Sequence, residues 1–119
     1  MALSRRLVSQ AFPYLPITLT VQGHTATLLA LLDTGFDGDI VVPRGFFPPN
    51  VVPDHTTRWA LADGSRVLAP SFVGTAQIGQ FSPFKVTAIA LGTEALIGLA
   101  AIGSVTIILD HGQRLIIEQ

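Results

Sequence analysis

The stretch LALLDTGFDGDIVVP, residues 29–43, sets Asp33, Thr34 and Gly35 inside an apolar run. A strand that only had to pack would carry Val, Ile or Leu there, because an unpaired buried carboxylate is costly unless hydrogen bonds or a pKa shift offset it. Local sequence leaves two readings open. Asp33 either begins a surface turn, for which Asp and Gly are default residues, or is an acid delivered to a strand end for chemistry. In the second reading, Thr34 supplies a hydroxyl for neighbouring backbone, and the missing side chain of Gly35 lets amides approach the acid. If carboxylates alone are to drive attack of water on a carbonyl, two that share a proton are needed, one acting as base and the other as acid. The chain holds a single Asp-Thr-Gly. A second carboxylate would therefore come from a twofold-related copy of the chain.

Other chemistries find less support. Asp37 and Asp39, with Asp33, could offer oxygens to a hard cation, but a loop of that kind needs many more oxygens and a distal Glu. His24, His55 and His111 lie far apart and lack metal-ligand spacing. No metal and no other cofactor is expected. The absence of cysteine excludes disulfides, thiolate sites and cysteine nucleophiles. Ser65 and His111 lack the GxSxG elbow of a hydrolase triad. Trp59 and the pair Phe46-Phe47 read as aromatic anchors, with Trp59 also a candidate at the base of a mobile hairpin.

The elements that must position Asp33 read as β-structure throughout. Eleven glycines and eight prolines punctuate short segments rich in Val, Ile, Thr and Leu. Ile17, Leu19 and Val21 alternate up to a turn at Gln22-Gly23-His24, and the returning strand, Thr25 to Leu32, delivers Asp33 to its end. A short strand closed by Pro43 follows, then an irregular proline-rich connection. Asp63-Gly64 marks a two-residue hairpin turn in TTRWALADGSRVLAP. SFVGTAQIG and FKVTAIAL form a further antiparallel pair, with Val86, Ala88 and Ala90 on the face opposite Thr87 and Ile89. Gly98 to Ile102 is compatible with one helical turn. Two last strands flank the turn at Asp110-His111-Gly112-Gln113, to which no function is assigned. ALLDTG and ALIG echo one another, each bringing an apolar strand to a glycine.

Composition bounds the function. With 119 residues the chain is one domain, 1–119, able to bury a core unaided. Hydrophobic residues make up 49% and charged residues 13%, with a mean hydropathy of +0.54. That surplus, and an apolar terminal strand with no later partner in the chain, point to burial against a second subunit. A net charge of −1 with no basic run beyond Arg5-Arg6 argues against nucleic acid and anionic lipid. No apolar run reaches signal-peptide or membrane-span length, so a soluble, cytoplasmic protein is expected.

Taken in order, LLDTGFDGDIVVP, the hairpin WALADGSRV, ALIGLAAI and VTIILDHGQRLIIE resemble the retropepsin-like aspartic proteases. The DTGF form followed by Asp-Gly and a proline is similar to small prokaryotic members of that clan. The likeness spans roughly residues 16–118, with the apolar-apolar-Gly element some 63 residues after the DTG. It implies an all-β closed acid-protease barrel with at most one short helical turn. It also implies a homodimeric endopeptidase that hydrolyses peptide bonds of a peptide or protein substrate. Asp33 would be the catalytic acid, Thr34 would lock the two active-site turns across the dimer, and Gly35 would shape the turn. Phe36 and Asp37 would line the cleft, and Ala62, Asp63, Gly64 and Ser65 would form a flap that closes over the peptide and excludes water. The N-terminal segment, residues 1–15, would sit at the dimer interface.

Two residues depart from the family pattern. Phe36 stands where a small residue usually follows DTG, narrowing the pocket, and Leu99-Ala100 stand where a polar or basic residue and then Asp or Asn are typical. They motivate a rival reading, a catalytically weak or inactive peptide-binding scaffold dimer. A third reading is a plain β-barrel interaction domain without a working cleft.

Overall fold

A computed structural model describes residues 6–119. Ten strands follow one another: β1 (Arg6–Ser9), β2 (Tyr14–Val21), β3 (His24–Leu32), β4 (Ile40–Val42), β5 (His55–Ala60), β6 (Arg66–Ile78), β7 (Phe84–Ala90), β8 (Leu96–Ile97), β9 (Thr106–Asp110) and β10 (Arg114–Glu118). The architecture is all-β. Gly98 to Ile102, which the sequence made compatible with one helical turn, contain no helix; residues 99–104 form turns.

Seven strands form one sheet in the order β2-β3-β8-β4-β7-β6-β5, and β2 pairs additionally with β6. The sheet thus curls back on its first strand and leaves β5 at an edge. Alternation along β2 puts Leu15, Ile17, Leu19 and Val21 on the enclosed face, all buried, with the residues between them half-buried. These side chains meet Ile40, Val42, Ile78, Ile97, Leu115 and Ile117 in one core cluster. Each such side chain contributes about 1.5–3 kcal/mol when fully buried. Towards its end β7 is buried on both faces, Ile89 as well as Ala88 and Ala90, so its alternation does not separate inside from outside as expected. Ala88 and Ala90 face the core cluster, and Ile89 on the other face lies in the wall of a cleft that other elements enclose.

Two hairpins differ in their chemistry. Val21 pairs with His24, leaving Gln22-Gly23 as the turn, with φ of 50° and 81°. Positive φ at both positions gives the mirror-image turn that matches strand twist. In the β5–β6 hairpin, Leu61 N–H donates to the Ser65 carbonyl and Gly64 N–H to the Leu61 carbonyl. The loop is therefore Ala62-Asp63-Gly64, one residue longer than the expected two-residue turn. Gly64, at φ 86°, occupies the left-handed position that closes such a loop.

β6 runs unbroken through Pro70, where the sequence suggested a break between two strands. β5 flanks it up to Ser71 and β7 from Ser71 onward, so the proline sits at the handover between partners. Further along, a Cβ on Gly74 would lie 2.2 Å from the Thr20 carbonyl oxygen. Glycine there permits the close approach of β2 and β6.

A separate three-stranded sheet has the order β1-β10-β9. The C-terminal strand, expected to have no partner beyond the strand before it, is paired on both edges within the chain: Leu7 with Ile117 and Leu115 with Leu109. The sequence reading missed this because β1 is only four residues long and lies at the far end of the chain. Residues 1–5 of the N-terminal segment lie outside the described residues. Among the described residues no helix is long and apolar enough to cross a membrane.

Candidate active site

β3 ends at Leu32, and the chain then turns against the end of β8. Leu31 pairs with Leu96 and Leu32 with Ile97 in parallel, so the two echoing segments, ALLDTG and ALIG, lie side by side. Asp33 N–H extends this ladder by donating to the Ile97 carbonyl at 3.0 Å. The Asp33 carboxylate Oδ1 accepts the Gly35 N–H at 2.9 Å, and the Asp33 carbonyl accepts the Phe36 N–H at 3.2 Å. A Cβ on Gly35 would lie 3.2 Å from Oδ1, so glycine keeps that approach open. Asp33 is half-buried, and Oδ2 has no protein partner among the described residues. The carboxylate is thus neither sealed in the core nor loose at the surface: one oxygen is fixed by the turn and the other is available.

The loop after the motif is stitched to the segment after β8 by backbone. Gly98 N–H donates to Asp39 carbonyl at 2.8 Å, Leu99 N–H to Phe36 carbonyl at 2.9 Å, and Ala100 N–H to Gly38 carbonyl at 3.2 Å. Leu99 and Ala100 hold the turn through their amides while their side chains are exposed. Their apolar identity leaves the supporting turn intact.

Phe36 is half-buried over two glycines. A Cβ on Gly38 would lie 2.4 Å from Phe36 Cζ, and one on Gly98 2.5 Å from Phe36 Cδ2. Its ring meets Trp59 of β5 with centroids 5.2 Å apart and planes tilted by 56°. Trp59, expected at the base of the hairpin, pairs with Val67 one step before the last pair of the ladder and joins the loop end of the β5–β6 hairpin to the DTG turn. Its indole N–H is buried without a partner among the described residues.

These elements bound an open cleft of about 660 Å³. Asp33, Gly35 and Phe36 form part of its wall, and Trp59, Ala60, Leu61 and Ala62 of the hairpin form another. Val41, Ile89, Leu91 and Leu96 supply apolar surface, and Gly92, Thr93 and Glu94 complete the lining. Of the residues singled out from sequence, Asp33, Gly35, Phe36 and Ala62 come together here. Thr34 and Asp37 are exposed on the same turn but do not line the cleft. Asp63, Gly64 and Ser65 form the exposed hairpin tip beyond it. There, Asp63 Oδ1 accepts both the Ser65 hydroxyl at 2.6 Å and the Ser65 N–H at 2.9 Å. The hydroxyl, then the amide, lower the Asp63 pKa below its ordinary value.

Asp39 serves the scaffold. Its Oδ2 accepts the Thr87 N–H of β7 at 2.8 Å, tying the loop to the sheet. Among the described residues no three His, Asp or Glu side chains stand together as a metal site. Sequence reasoning missed the strip from Leu91 to Leu96. The one available signal was its position, immediately before the apolar-apolar-Gly element. Glu94 belongs to that strip, and its Oε1 accepts the Tyr14 hydroxyl at 2.5 Å. That hydrogen bond, followed by the charge of Glu94, raises the Tyr14 pKa.

The chain is similar to a retropepsin-like aspartic protease from Rickettsia conorii known from a crystal structure. The two share 18% identity with a TM-score of 0.60, over 99% of this chain and 96% of that chain. At that identity the likeness establishes the architecture: the fold is retropepsin-like. No family model matches the sequence, and no curated protein matches it.

Proposed function

We propose that the protein is a homodimeric aspartic endopeptidase of the DTGF type, in which Asp33 from each of two chains forms the acid pair. The observation that carries this reading is the Asp33 turn itself. It presents a half-buried carboxylate, anchored through Oδ1, to an apolar cleft on a retropepsin-like fold. In the reaction, the ionised member of the pair takes a proton from water as it attacks the peptide carbonyl, and the protonated member donates to the carbonyl oxygen. Transfer of that proton to the departing amine then breaks the C–N bond. Like charges brought close cannot both ionise, so the apparent pKa values belong to the pair.

Thr34, exposed beside Asp33, is assigned to the contact between the two turns. The β5–β6 hairpin is assigned the role of flap, with Trp59 to Ala62 covering bound peptide. Asp37, Asp63, Gly64 and Ser65 reach substrate in this reading only through closure of the hairpin or from the second chain.

Comparison of wild type with Asp33→Asn on a peptide library between pH 4 and 7 tests the proposal. Wild type should cleave peptides, and the variant should lose that activity by about a hundredfold or more. If both bind peptides alike and neither hydrolyses them, the scaffold reading replaces the protease.

A further inference from the structure

We propose that Glu94 selects a basic side chain, Lys or Arg, in the peptide held by the cleft; this deepens the protease reading and rests on it. Among the described lining residues, only Asp33 and Glu94 are ionisable, and most of the others are apolar. A cleft built solely for apolar side chains has no use for a carboxylate in its wall, where it must be kept hydrated or paired. Glu94 is exposed and has no cationic partner among the described residues.

Its carboxylate is nevertheless held in place. Tyr14, Leu31 and Leu96 stand abreast on β2, β3 and β8. From that row the Tyr14 hydroxyl donates to Glu94 Oε1. Oε2 is left to accept from a ligand. By parallel register Asp33 stands level with Gly98, four positions beyond Glu94. The Glu94 carboxylate is bonded to Tyr14 and the Asp33 carboxylate to the Gly35 amide, with no hydrogen bond between the two acids, so Glu94 is assigned to a neighbouring side chain of the substrate.

The surroundings fit a Lys or Arg in both of its parts. The methylene stem would lie along apolar surface such as Leu91 and Leu96, and the cationic head would reach the Glu94 carboxylate. The resulting hydrogen bond is charge-assisted on both sides and partly shielded by the cleft.

The test uses the purified full chain and a peptide set in which each position around the scissile bond carries Lys, Arg, norleucine or Glu. At one position Lys and Arg should exceed norleucine by about tenfold in kcat/KM. Glu94→Gln should bring that ratio close to one, and Glu94→Lys should shift the preference to Glu. A Lys preference that survives Glu94→Gln, or equal cleavage of Lys and norleucine at every position, overturns the assignment. Should wild type cleave nothing, the protease reading fails on its own, and binding of the same peptides to Asp33→Asn, by fluorescence anisotropy, decides Glu94. Basic preference lost in Asp33→Asn/Glu94→Gln supports it, and equal binding of Lys and norleucine peptides refutes it.

Discussion

Phe36 shows how a single residue can look out of place in sequence and still be accommodated in space. Its bulk is accommodated because Gly38 and Gly98 have no side chains where the ring lies, and because Trp59 caps it. Gly98→Ala would put a Cβ within 2.6 Å of two backbone carbonyl oxygens as well as the ring. Backbone cannot yield as a side-chain tip can, so the substitution should destabilise by about 2–3 kcal/mol or more in urea unfolding. Asp39 supplies a second residue-scale prediction. Asp39→Ala leaves the Thr87 N–H without its acceptor, at a cost of about 1–3 kcal/mol, whereas Asp39→Asn retains an oxygen and should recover most of it. The same denaturation series checks both. That Asp33-Thr34-Gly35 turns the chain at the end of a strand was legible from residue type alone. Asp39 was not, because its acceptor role depends on a strand 48 residues away.

At the scale of elements, the β5–β6 hairpin and the β2–β6 crossing carry the predictions. The tip of the hairpin is held by the ionised Asp63 carboxylate, whose pKa the Ser65 donors lower. A carboxyl depressed in the folded state stabilises the tip above the ordinary carboxylate range and loses that contribution as pH falls through its folded value. An NMR titration should place the Asp63 carboxyl below its ordinary value, and Ser65→Ala, which removes the hydroxyl but keeps the amide, should move it partway back. At the crossing, Gly74→Ala would force β2 and β6 apart at the Thr20 carbonyl and should cost about 1–3 kcal/mol in thermal or urea unfolding. Existence and order of most strands followed from alternation and turn residues. The length of the hairpin loop did not, since Asp-Gly serves both a two-residue turn and the longer loop closed by Gly64.

At the scale of the whole molecule, the proposed acid pair requires a second chain. The C-terminal strand is satisfied inside the chain by β1 and β9, so the case for a second subunit no longer rests on a missing strand partner. It rests on the single DTG and on apolar side chains left exposed, among them Leu29, Leu68, Leu99 and Leu109. If each active centre uses Asp33 from two chains, mixing wild type with Asp33→Asn must poison activity. After equilibration of equal amounts, about a quarter of the dimers retain both acids, so activity per wild-type chain should fall to about half. A strictly proportional response, with no loss per wild-type chain, would show that each chain works alone. Sedimentation at the assay concentration should find the dimer.

The sequence by itself determined the class of fold, the placing of an acid at a strand end, and the glycines that make a tight turn possible. These are local properties: side-chain alternation, turn preference and the absence of a Cβ act within a few residues. Only the tertiary structure decided that ALLDTG and ALIG lie side by side, that Leu99 and Ala100 work through their amides, and that Phe36 rests on the distant Gly98 as well as on Gly38. It also brought Glu94 into the same cleft as Asp33. Such facts depend on which strands pair, and pairing is fixed by burial of the whole core rather than by any short stretch of residues.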